Sequence, residues 1–157
     1  MNLYQQRALE GASGVELTVA LYDGIIRFMR EAAAAVDRDD VSARRRAVKR
    51  AMDILIHLQA TLRMDIGGQP AETLAEFYAA TFALMLQAST ECSKEKFDKA
   101  VTHVWVVREA WRKVAADPYL AEKTAAEIRR LEQSAAVKPR HTSIPDHPRD
   151  LPSAWTA

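Results

Sequence analysis

Cysteine occurs once, at Cys92, so no disulfide can form within the chain, which fits a reducing compartment. Glycine is scarce. The five residues are Gly11, Gly14, Gly24, Gly67 and Gly68, and none follows position 68. Four of the six prolines crowd between Pro139 and Pro152, which leaves the rest of the chain almost free of helix breakers. No long alternating Val/Ile/Thr segment exists to make strands. No stretch reaches the roughly 20 apolar residues that cross a bilayer, so no membrane insertion is expected. No cationic start followed by an apolar run suggests a secretory signal, and the cytoplasm is the expected location. The net charge of +1 gives no overall field for nucleic acid or anionic membrane. Neither a glycine-rich phosphate loop nor a paired-carboxylate motif stands out, so the chain is read as cofactor-free and non-enzymatic.

What is present is helix-forming: Ala, Leu, Glu, Arg and Lys dominate 157 residues, enough for one domain with a real core. Ser13 and Glu16 read as a capping box opening a first helix over about 14–36. Asp37 to Asp40 link it to a second helix, about 41–64. Ala43, Ala47, Ala51, Ile54, Leu58 and Leu62 form its apolar stripe, with Arg45, Arg46, Lys49, Asp53 and His57 opposite. Gly67-Gly68 breaks it, and Pro70 suits the first turn of a third helix reaching Thr90. Ser93 caps a fourth, which ends before Asp117-Pro118. Those two residues can begin a fifth, to about Ala136, with a thin stripe of Leu120, Ile128 and Leu131. Four long helices with short links predict an all-α antiparallel four-helix bundle. The organisation expected is a mobile N-terminal segment (1–12), the bundle (13–116), an extra C-terminal helix (117–136) and a flexible Pro-rich tail (137–157). Ile144, Leu151 and Trp155 of that tail could fold back on the bundle.

The first helix carries more apolar surface than one bundle face needs. Leu17, Leu21, Ile25, Phe28 and Ala32 make one stripe. Val15, Val19, Tyr22, Ile26, Met29 and Val36 make another. The third helix has no charged residue from Phe77 to Thr90. A fifth helix, a homodimer partner, or a groove for an amphipathic helix of another protein would each cover such surface. The basic cluster Arg44, Arg45, Arg46, Lys49 and Arg50 lacks interleaved aromatics for stacking bases. It reads as a solvated face rather than an RNA site. Asp53 and His57 share a helix face, but two ligands do not make a zinc site.

The ordered set Tyr4-Gln5-Gln6, Ala12-Ser13, Val15-Glu16-Leu17 and Leu21-Tyr22-Asp23-Gly24 resembles the start of the FliS family of flagellar export chaperones. Arg44-Arg45-Arg46-Ala47 with Ala51-Met52-Asp53-Ile54-Leu55 is similar to its second helix. Gly67-Gly68, Ala71-Glu72-Thr73-Leu74 and Phe77-Tyr78 resemble its turn and third helix, and Arg108-Glu109-Ala110-Trp111 its fourth. The resemblance covers about 4–116. Gly14 stands where the family commonly has proline, Ala80 where it often has an aromatic residue, and 117–157 fall outside. The resemblance implies a protein that binds the disordered C-terminal segment of flagellin, prevents premature polymerisation and delivers it to the export gate protein FlhA. On that basis the flagellin groove is placed at Leu21, Tyr22, Ile25, Leu55, Leu58 and Tyr78. Leu3 and Tyr4 become the gate contact or groove plug. Alternatives from the residues are a secretion chaperone for another client, or a basic RNA-binding regulator using Arg44 to Arg50.

Overall fold

A chain this rich in helix formers and this poor in glycine and proline builds helices wherever an apolar face can be buried. The computed structural model describes residues 3–136, with side chains from Gly14 onward apart from Ala121. Five helices follow one another: α1 Leu3–Asp37, α2 Val41–Ala60, α3 Gly68–Thr90, α4 Lys94–Ala116 and α5 Pro118–Ala136. Around the bundle α1 packs on α2, α2 on α3, α3 on α4, and α4 back on α1, while α5 lies against α1 and α4. Two ion pairs fix the antiparallel register of α1 and α4. Asp37 at the end of α1 meets Lys94 at the start of α4. Fourteen residues earlier in α1, Asp23 accepts from Arg108, fourteen residues later in α4, at 2.8 and 3.2 Å.

The links are short and firmly shaped. Asp39 and Cys92, between α1 and α2 and between α3 and α4, take positive φ (54° and 52°), which turns the chain in three residues. Asp40 Oδ1 then accepts from the Ala43 N–H at 2.9 Å and Ser93 Oγ from the Lys96 N–H at 3.3 Å, so each new helix starts capped. Asp117 does the same for α5, accepting from the N–H groups of Tyr119 (2.9 Å) and Leu120 (3.3 Å).

Three boundaries differ from the reading of the sequence. The first helix begins at Leu3, so Ser13 lies inside it and the expected start at a Ser13/Glu16 capping box is corrected. Gln5, Gln6, Arg7, Ala8, Leu9 and Glu10 are all strong helix formers, and interior Gly11 and Gly14 cost only about 1 kcal/mol each against alanine. The second helix stops at Ala60, not Met64. Thr61 folds its hydroxyl back to the Leu58 carbonyl (2.9 Å), and the chain turns through 61–66. The glycine pair therefore opens α3 rather than ending α2. At Gly67 a Cβ would stand 2.5 Å from the Ala71 Cβ and 2.7 Å from the Arg63 carbonyl oxygen, and Gly68 needs φ +53°.

The core explains the doubled stripe of α1. Tyr22, Ile25, Ile26, Phe28, Met29 and Ala32 are all buried, from both stripes, because α1 packs on α2, α4 and α5 and also reaches α3 through Tyr22. Phe97, Ala100 and Val104 of α4 and Tyr78, Met85 and Ala88 of α3 close the centre. The basic cluster splits. Arg45, Arg46, Lys49 and Arg50 are exposed, but Arg44 is buried, which corrects its place on a solvated face. Its Nη1 donates to Cys92 Sγ at 3.0 Å, and its Nε has no partner among the described residues. One residue in a basic run points inward because a helix turns 100° per residue. No helix among the described residues is long and apolar enough to cross a membrane.

Candidate functional site

α1 and α3 are opposite each other in the four-helix ring, and each sends a tyrosine into the space between them. The hydroxyls of Tyr22 and Tyr78 are 2.6 Å apart in a buried hydrogen bond, with ring centroids 6.4 Å apart. Burial pushes the Tyr22 phenol far above its ordinary value, and the bond and charge of Tyr78 push the same way. Burial also raises Tyr78, while the bond from Tyr22 pulls against it. A neutral pair is thus held where neither ring can ionise without leaving the core.

This pair carries two expected outcomes. Tyr22→Phe alone strands the Tyr78 hydroxyl and should cost about 1–3 kcal/mol, whereas the double Phe variant should recover part of that loss. Chemical denaturation of the two single variants and the double variant checks this. Both folded values lie above the free phenol value of 10.0, so the pair's contribution is intact below about pH 10 and is lost as pH rises past it. Phenolate absorbance followed through an alkaline titration should show these two rings ionising together with unfolding.

Beside Tyr78 lies an apolar pocket of about 260 Å³. Leu58 and Leu62 come from α2 and its exit, Leu74 and Tyr78 from α3, Trp111 from α4, and Ile128 and Leu131 of α5 form one wall. At its edge Arg63 is locked by Asp65, which accepts from Nε at 3.0 Å and Nη2 at 2.9 Å, leaving Nη1 to meet Glu132 of α5 at 3.0 Å. The Arg63 fork holds the Asp65 carboxyl below its ordinary range.

Of the six groove candidates, Leu58 and Tyr78 line this pocket, and Tyr22 sits against it through its bond to Tyr78. Ile25 and Leu55 are buried in the core (0% and 1% exposed), and Leu21 is half-buried against it. Leu3 and Tyr4 fall in the first turn of α1, and their side chains, like tail residues Ile144, Leu151 and Trp155, lie outside the described residues. Leu62, Leu74, Trp111 and Arg63 were not singled out from sequence. Leu62 was visible in the apolar stripe of α2, Leu74 and Trp111 within stretches that resemble the family, and nothing in the sequence joins Arg63 to Glu132.

A second apolar surface is open. The charge-free run of α3 exposes Ala79, Ala80, Ala83 and Leu86, and α2 beside it exposes Ile56. Among the described residues no group of three or more His, Cys, Asp or Glu could hold a metal ion. This arrangement can seat apolar side chains and one carboxylate, and it presents no nucleophile with a base beside it.

Comparison with known proteins agrees on one family. The model for the flagellar protein FliS matches residues 1–118. The chain is 32% identical over 113 residues to the flagellar secretion chaperone FliS of Campylobacter jejuni, covering 72% of this chain and 88% of that one. It is 28% identical over 109 residues to the flagellar secretion chaperone FliS of Bacillus subtilis, covering 69% and 80%. The protein of the same description from Vibrio cholerae is 25% identical over 120 residues, 76% of this chain and 87% of the other.

Proposed function

The chain belongs to the FliS family of flagellar secretion chaperones, and from that premise we propose that it holds the C-terminal segment of flagellin in the cytoplasm, blocks its premature polymerisation and hands it to the export gate protein FlhA. The observation that carries this reading is the family match over the whole bundle, 1–118. The uncharged open face of α3 and the apolar pocket beside Tyr78 support it.

The physical logic is coupled folding. A disordered segment that orders on binding loses roughly 2–5 kcal/mol of its interaction energy, offset by burying on the order of 1,000–3,000 Å². Helices already packed in a bundle offer that area without reorganising themselves. Leu58 and Tyr78 are the proposed contacts at the pocket, Leu21 a neighbouring one, and Tyr22, Ile25 and Leu55 the packed floor that keeps the seat in shape. Leu3 and Tyr4, in the first turn of α1, are the proposed gate contact or groove plug.

Seeded polymerisation of the organism's own flagellin, followed by light scattering, tests the proposal. An equimolar amount of this protein should suppress filament growth. Unchanged growth in the presence of excess protein would overturn it.

A further inference from the structure

α5 begins at Pro118, where the match to the FliS family ends, yet it closes a pocket built by the family's own four helices. Its chemistry is simple. Ile128 and Leu131, three residues apart, share one face of the helix and wall the pocket. Glu132, the next residue, reaches Arg63 at 3.0 Å. The bundle supplies the other half: Leu58, Tyr78 and Trp111 around the hole, and an Arg63 guanidinium already aimed by Asp65.

The fit is poor. The pocket still holds about 260 Å³ of space, Ile128 is 46% exposed, and Tyr119 and Leu120 on the same helix are 71% and 40% exposed. A helix that leaves its own apolar residues half in water and its pocket unfilled is held weakly. Its seating nonetheless displays the pattern that the pocket accepts: apolar side chains at i and i+3 and a carboxylate at i+4.

We propose that α5 is an internal stand-in for a client helix, and that a client segment with this pattern displaces α5 from the pocket and takes over the Arg63 contact. The identity of the client as flagellin rests on the chaperone reading; the competition itself rests on the geometry of α5. While α5 is seated, only the fraction of molecules with the pocket open is competent, so apparent affinity is lowered by that fraction.

The full chain with Ile128→Ser and Leu131→Ser, both outside the bundle core, should bind the flagellin C-terminal segment about tenfold more tightly than wild type. The milder Glu132→Ala should shift affinity in the same direction by less. In wild type, adding the segment should speed hydrogen exchange at amides 118–136 while slowing it around Leu58 and Tyr78. Binding with α5 still protected, or with affinity unchanged in both variants, would overturn this inference and leave the chaperone reading standing. If neither wild type nor variant bound the segment, the chaperone reading itself would fall, and this inference with it.

Discussion

An aspartate in place of Ile25 is expected to unfold the protein rather than merely weaken binding. Ile25 is fully buried in the middle of α1, the helix that packs on α2, α4 and α5. A carboxylate there would lose the transfer energy of a large aliphatic side chain and would be desolvated within an apolar cluster. The combined loss is about 5 kcal/mol or more, against a total stability of about 5–15 kcal/mol for a domain. Circular dichroism at 222 nm should show loss of helix or a collapsed melting transition. A native melt with lost client binding would place Ile25 at a binding surface instead of the floor beneath it.

Phe97→Ala is expected to cost about 3–5 kcal/mol, the range for emptying a buried aromatic site. Phe97 is fully buried in the first turns of α4, just after the Ser93 cap. It belongs to the same core cluster as Met29 of α1 and Met85 of α3. The helix end beneath it is joined to α1 by the half-exposed Lys94–Asp37 ion pair and to α2 by the Arg44–Cys92 bond. The urea midpoint should fall by a large fraction of its wild-type value with little change in slope. A shift equivalent to less than about 1 kcal/mol would mean that the corner collapses around the cavity or that Phe97 packs elsewhere.

Local signals in the sequence located most of the helices. Ser93 and Asp117-Pro118 mark boundaries because capping is a contact within one turn, and those residues cap in the structure as their spacing implies. Ser13 and Glu16 carry an equally good local signal, but the helix runs through them, since Gln5 to Glu10 favour helix as strongly as the residues that follow. The polar face of α2 was legible from its periodicity. The inward turn of Arg44 follows from the same 100° step, whereas its partner Cys92, 48 residues away, leaves no local signal.

The site was harder to read for the same reason. A stripe says that a face is apolar; it does not say whether the bundle or another chain covers it. Tyr22, Ile25, Leu55, Leu58 and Tyr78 were placed at the groove on the family resemblance, and the bundle buries all five. The Tyr22–Tyr78 bond spans 56 residues, and the Arg63–Glu132 pair spans 69. Such pairings depend on topology and leave no trace in local pattern.

The most direct test of the chaperone account is calorimetric titration of the full chain with the C-terminal segment of the organism's own flagellin at several temperatures. The account predicts saturable binding with a clearly negative heat-capacity change, the mark of apolar burial by a segment that folds as it binds. Absence of binding, both to wild type and to the chain carrying Ile128→Ser and Leu131→Ser, would contradict it.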